Sequence, residues 1–163
     1  MKNLQKIRHL NIFDLDGVLL CSKHRYRVDK ETQKIDLEHW RANAHRSLLD
    51  KPIPAMADIY RGLIKDSSHF VIIATSRIMA AYDYAHIAES LGSPDALISR
   101  IHNGQKGSTL KIKGIERIIQ DCNLQHVRNS DMHIWEDNPE YLTAMLKHFH
   151  GSHGHLIQSE QGH

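Results

Sequence analysis

The chain has 163 residues, a formal net charge of +2, 40% hydrophobic residues and 25% charged residues. That length suits one compact domain with a real core and leaves little room for a second. So small a charge does not by itself argue for nucleic acid or membrane, and no apolar run nears the roughly 20 residues that span a bilayer.

The N-terminal Met1-Lys-Asn-Leu-Gln-Lys-Ile-Arg-His lacks the apolar core and cleavage site of a signal peptide. Cys21 and Cys122, with no CxxC spacing, form neither a disulfide framework nor a zinc pattern. A reducing cytoplasm is the expected setting.

In chain order, Leu10-Asn-Ile-Phe-Asp14 predicts a first buried strand. The polar stretch from Cys21 to Pro54 follows, with eight basic residues against five acids and Trp40 as its largest apolar anchor. It reads as an insertion at about 21–53. Pro54 then opens a helix whose apolar face carries Met56, Ile59, Tyr60, Leu63 and Ile64. Phe70 to Thr75 is a continuous β-branched strand, the type buried on both faces of a parallel sheet. Ile78 to Leu91 predicts a second helix stopped by Gly92, and Ala96 to Ser99 an edge strand. Ile112, Ile115, Ile118, Ile119 and Cys122 stripe a third helix. Met132 to Trp135 is another buried strand. Asn138 and Pro139 cap and open a fourth helix through Tyr141, Leu142, Met145, Leu146 and Phe149. His155 to Gln158 is a second edge strand. The alternation predicts an α/β, Rossmann-like three-layer fold with a central parallel sheet of about five strands.

Ligands bind at the carboxyl ends of such strands. Here those ends carry Asp14 and Asp16, then Thr75-Ser76-Arg77, then Glu136-Asp137-Asn138. Carboxylates from two strands suit Mg²⁺, a hard cation that takes oxygen ligands. The cation would screen a phosphate's negative charge against an attacking carboxylate. A hydroxyl and a lysine would hold the remaining phosphate oxygens.

Phe13-Asp-Leu-Asp-Gly-Val18 resembles the first motif of the haloacid dehalogenase-like (HAD) hydrolases. Ile72-Ile-Ala-Thr75-Ser-Arg77 is similar to their second, Lys111 to the third, and Trp135-Glu-Asp137-Asn to the paired-acid form of the fourth. Their order, with spacings of 61, 36 and 25 residues between Asp14, Thr75, Lys111 and Glu136, covers nearly the whole chain. The resemblance implies a single HAD-like domain over 1–163 with the insertion after its first motif. It implies Asp14 as a nucleophile forming an aspartyl-phosphate and Asp16 as the acid–base group. Thr75 and Lys111 would contact the phosphoryl group, although Lys106 and Lys113 lie close to Lys111. Asp14, Asp16 (through its backbone carbonyl), Glu136 and Asp137 would hold Mg²⁺. Ser76, Arg77, Arg25 and Arg27 would contact substrate. His24-Arg-Tyr-Arg with Ile35 to Trp40 is similar to the insertion of small phage HAD proteins, and the acid pair with Thr-x-Arg is more distantly similar to the 3′-phosphatase half of phage polynucleotide kinases.

The expected function is therefore a Mg²⁺-dependent phosphomonoesterase acting on a nucleotide or nucleic-acid end. Five basic residues against one acid between Ile98 and Arg117 favour such a partner. A small-metabolite phosphatase and a non-catalytic binder that sequesters a phosphorylated ligand are the alternatives. Asp-x-Asp-Gly also opens EF-hand loops, but the glutamate required at the twelfth position is Arg25 here. The tail histidines read as solvated loop residues, since imidazole favours zinc or nickel over a hard cation.

Overall fold

The strands with the longest apolar runs are the ones the fold buries on both faces. In the structure, a computed structural model that describes residues 1–21, 50–102 and 104–158, β1 (His9–Phe13) lies at the centre of a five-stranded sheet. It pairs in parallel with β4 (His69–Ile78) on one side and β6 (Met132–Glu136) on the other. β5 (Ala96–Arg100) and β7 (His153–Leu156) form the two edges, also parallel, giving the order β5-β4-β1-β6-β7.

Among the described residues four helices flank the sheet: α1 (Pro54–Ile64), α2 (Ala81–Ser90), α3 (Gly107–Asp121) and α4 (Pro139–His148). Alternate strand residues enter opposite cores. Leu10, Ile12, Ile72 and Ile134 pack with Leu110 and Ile115 of α3 and Leu142 and Met145 of α4. Phe13, Val71 and Ile73 pack with Met56, Ala57 and Tyr60 of α1 and Ile87 of α2. Each such fully buried aliphatic or aromatic side chain contributes about 1.5–3 kcal/mol. The result is the three-layer α/β architecture expected from the sequence, with both edge strands where they were expected.

Four boundaries differ from the expectations. β4 runs on to Ile78, and α2 starts only at Ala81, so Thr75-Ser76-Arg77 does not cap that helix. The reason is an irregular stretch: β4 pairs with β5 at Ala74↔Ile98 and resumes at Ile78↔Arg100. Unequal pairing of this kind bends a strand and re-aims side chains. α3 begins at Gly107, before its isoleucine stripe, and β7 begins at His153, two residues early. The α4 start is as expected, with Asn138 Oδ1 accepting from the amides of Glu140 (3.0 Å) and Tyr141 (3.2 Å).

Just beyond the first motif, β2 (Leu20–Cys21) pairs antiparallel with β3 (Lys51–Pro52), Leu20 opposite Pro52 and Cys21 opposite Lys51. The chain therefore returns beside its point of departure. Residues 22–49 between the two strands, with the candidate contacts Arg25 and Arg27 and the noted His24 and Trp40, lie outside the described residues. Cys122 is a half-buried free thiol.

Two of the tail histidines are strand rather than loop residues. His153 and His155 lie on β7 and stack against β6: His133 on His153 at 4.7 Å and His155 on Trp135 at 4.7 Å. His9 and His69, paired across β1 and β4, stack at 4.4 Å. His133 Nδ1 and His155 Nε2 face each other at 2.9 Å with ring planes 14° apart, the geometry of one N–H donating to one lone pair. A second proton has no acceptor there.

Burial, reinforced by neighbouring imidazoles, lowers the pKa of His69, His133 and His155. The unfolded chain then takes up these protons first. The stabilisation is complete above about pH 6.5 and is lost as pH falls through the lowered folded values. The expected result is a melting temperature that drops between pH 7.5 and 5.5, and a flatter profile for His133→Gln. An unchanged slope in that variant would remove the ladder as the cause.

Candidate active site

β1, β4 and β6 are adjacent, so their carboxyl ends converge at the point where the strand order reverses about β1, the usual ligand position in an open α/β sheet. Asp14 follows β1 directly, and its amide donates to the Trp135 carbonyl at 2.9 Å. Gly17, at φ +83°, closes the Asp14–Val18 turn in a conformation that favours glycine. Glu136 ends β6, and Asp137 follows it.

Carboxylate oxygens of Asp14, Glu136 and Asp137 lie within 4.8 Å of one another. Lys111 reaches them from α3. It occupies a core position of the helix, in the same stripe as Gly107 and Ile115, and is only 1% exposed. Its Nζ donates to Asp14 Oδ1 at 3.0 Å and to Glu136 Oε1 at 2.5 Å. Lys106 and Lys113 are exposed, so among the three nearby lysines the contact belongs to Lys111. The Tyr141 ring of α4 covers the ammonium at 5.4 Å from its centroid. Gly107 allows this approach of α3 to α4: a Cβ there would lie 2.4 Å from Tyr141 Oη.

The electrostatics follow from gathering two buried acids and the half-buried Asp137 around one base. Burial pushes the Asp14 carboxyl well above its usual range, and Glu136 and Asp137 push it further, against the pull of Lys111. Burial alone would raise Glu136, but the Lys111 ammonium and hydrogen bonds outweigh it and hold this carboxyl below the usual range. Lys111 itself is raised, since Asp14 and Glu136 overcome its desolvation. The site holds more negative charge than its lysine neutralises, and all its donors are oxygens. That donor set fits a hard divalent cation.

Glu136 is engaged by the protein on both oxygens. Oε1 takes Lys111, while Oε2 accepts from the amides of Asp137 (2.9 Å) and Asn138 (3.2 Å). Thr75 is buried at the end of the regular part of β4, and its Oγ1 accepts from the Arg77 amide at 3.3 Å. Ser76 is half-buried, with its carbonyl held by Arg100 Nε at 2.6 Å. Arg77 is nearly buried and faces three carboxylates: Asp16 (3.5 Å), Asp50 (3.6 Å) and Asp83 (4.0 Å).

The fold thus brings Asp14, Lys111, Glu136 and Asp137 into contact, and links Asp16 to Arg77. Asp50, Asp83 and Gly107 were not expected at the site, Tyr141 was expected only on the apolar face of its helix, and Arg100 only within the basic stretch from Ile98 to Arg117. Only Gly107, at helical spacing from Lys111 and Ile115, carried a local signal. Among the described residues no helix is long and apolar enough to cross a membrane.

This topology is that of the HAD-like hydrolases. A haloacid dehalogenase-like family hydrolase from Streptococcus pneumoniae superposes with TM-score 0.59 at 14% identity, over 92% of this chain and 84% of that one. The N-terminal part of a Bacteroides fragilis protein, which contains a phosphatase domain and was solved with Mg, gives 0.55 at 12% identity, over 96% of this chain and 38% of that one. A HAD family enzyme from Bacteroides thetaiotaomicron, solved as an aspartate-to-alanine variant with magnesium and inorganic phosphate, gives 0.51 at 7% identity, over 93% and 95%. No curated protein sequence matches the chain. Residues 1–103 match the family described as Bacteriophage T5 5′-deoxynucleotidase, and the chain belongs to that family. The match includes Asp14, Asp16 and Thr75 and stops before Lys111, Glu136 and Asp137, which join Asp14 in space.

Proposed function

We propose that this chain is a Mg²⁺-dependent phosphomonoesterase that removes the 5′-phosphate of a deoxynucleotide through an aspartyl-phosphate on Asp14. One observation carries the reading: Lys111 bridges Asp14 and Glu136 at the meeting of three strand ends, beside Asp137. Family membership supports the nucleotide substrate over a sugar phosphate.

An Asp14 oxygen attacks phosphorus, and the phosphorus–ester oxygen bond breaks. The leaving 5′-oxygen takes a proton from Asp16. Water then attacks the phosphoryl group, giving its proton to Asp16 and freeing Asp14 and inorganic phosphate. Lys111 neutralises charge on Asp14 and the phosphoryl oxygens. Thr75, whose oxygen already accepts from Arg77, has its hydroxyl proton to donate to phosphate. Asp14, Asp137 and the Asp16 carbonyl would hold Mg²⁺, which when bound screens the phosphate's charge. Glu136, engaged on both oxygens, orients Lys111. Arg25, Arg27 and Ser76 remain proposed substrate contacts. The chain works as a single HAD-like domain with residues 21–53 inserted after the first motif, in the cytoplasm.

A panel of 5′- and 3′-deoxynucleoside monophosphates, phosphorylated oligonucleotides and sugar phosphates, each with and without Mg²⁺, tests the reading. Fastest phosphate release is expected from the 5′-monophosphates, with none when Mg²⁺ is chelated. Asp137→Asn is expected to raise the Mg²⁺ concentration for half-maximal rate by about tenfold or more. Preference for a sugar phosphate would overturn the substrate class, and tight binding without release would mark a sequestering protein.

A further inference from the structure

Arg77 is the most heavily paired cation outside the Lys111 cluster among the described residues. Its side chain is 9% exposed and faces carboxylates from three separate parts of the chain. A buried guanidinium needs such counter-charges, because a lone one would cost several kcal/mol in desolvation. Two of its partners are themselves anchored. Asp83 lies in the first turn of α2, and its Oδ2 accepts from the Ala80 amide at 2.8 Å. Asp50 directly follows residues 22–49, and its carbonyl accepts from His86 Nε2 of α2 at 2.8 Å. Their side chains are 6% and 0% exposed. The third partner, Asp16, is the most open at 23% and stands in the turn of the first motif.

We propose that Arg77 is a positioning residue. Asp50 and Asp83 fix the guanidinium, and the guanidinium holds the Asp16 carboxyl where it can give a proton to the leaving oxygen. The inference rests on the reading of Asp16 as proton donor. It adds that the strand returning from residues 22–49 is wired, through Asp50, to the proton-transfer step. The planar fork of arginine can serve three acids in three directions, which the single ammonium of lysine cannot. Separations of 3.5–4.0 Å are ion pairs rather than short hydrogen bonds, so Asp16 is steered without being locked.

A proton donor matters most when the leaving group is a poor one. Arg77→Lys, Asp50→Asn and Asp16→Asn are therefore compared on deoxythymidine 5′-monophosphate, whose alkoxide needs a proton, and p-nitrophenyl phosphate, whose phenolate leaves without one. Arg77→Lys is expected to lower kcat on the nucleotide by about 10²-fold and on the aryl phosphate by less than about tenfold. Asp50→Asn is expected to show the same asymmetry more weakly, with inhibition by inorganic phosphate unchanged in both. Adding Arg77→Lys to Asp16→Asn should cost little more, because the two act as one unit.

Equal losses on both substrates, weakened phosphate inhibition, or loss of the folded state in both variants would overturn the proposal. Weakened phosphate inhibition would make Arg77 a phosphate contact, and unfolding of both would make it a structural ion pair. Absence of the asymmetry in Asp16→Asn itself would instead refute the reading of Asp16. Asp14→Asn, inactive on both substrates, keeps that outcome separate from failure of the whole mechanism.

Discussion

Asp14→Asn protein is expected to fold and to lose nearly all phosphate release, by a factor on the order of 10⁴ to 10⁶. The amide keeps the shape of the carboxyl, but it is too weak a nucleophile for phosphorus. Its effect on stability should run the other way. In the native chain, burial and the charges of Glu136 and Asp137 push the Asp14 carboxyl well above its usual range, so keeping it ionised costs folding energy. A neutral amide removes that cost. Without Mg²⁺ the variant should therefore melt no lower than the native protein, and with Mg²⁺ it should gain less from the ion. Such a trade marks a residue placed for function at the expense of stability. A variant that melts far lower in the absence of metal would mean that Asp14 is chiefly a structural partner of Lys111.

Lys111→Met is expected to have the largest effect on stability. The substitution keeps the apolar stem but removes the one ammonium that Asp14 and Glu136 share, leaving both carboxyls buried without it. Breaking one side of a buried charge cluster typically costs about 3–5 kcal/mol. For a chain of this size that lowers the melting temperature by roughly 6–20 °C. The loss should shrink in Mg²⁺, which would supply positive charge beside Asp14, and under mild acid, which protonates Asp14. The acid effect follows from the raised Asp14 carboxyl: stability linked to it grows as pH falls through its folded value toward the unfolded one. Thermal melts of the variant across Mg²⁺ and pH check both signs. A loss that neither condition relieves would point to packing of the lysine stem rather than its charge.

Much of this architecture is written in local patterns. β4 is a continuous apolar run because helices cover both its faces, while β1 and β6 are shorter runs interrupted by Asn11 and His133, and these patterns are readable without a structure. Asn138-Pro139 announces α4 because an amide oxygen and a missing N–H both suit a helix start. The residues of the candidate site are legible because each stands at a strand end or, for Lys111, on a core face of a helix. What is not legible depends on partners far away in the chain. Arg77 reads as a substrate contact beside Thr75, and nothing near it in sequence announces Asp50 or Asp83. β4 passes Thr75 because its pairing with β5 is uneven, which no run of residues encodes. His153-Gly-His155 has a loop-like composition, and only the rings of His133 and Trp135 across the sheet give it a reason to be a strand.

Capture of the intermediate tests the central claim most directly. Native protein is mixed with deoxythymidine 5′-monophosphate and Mg²⁺, quenched in acid within one turnover, and its peptides are weighed by mass spectrometry. The expected result is a single phosphoryl group on Asp14, lost on treatment with hydroxylamine and missing from Asp14→Asn. A phosphoryl group on any other residue, or an Asp14→Asn protein that still releases phosphate at the native rate, would contradict it.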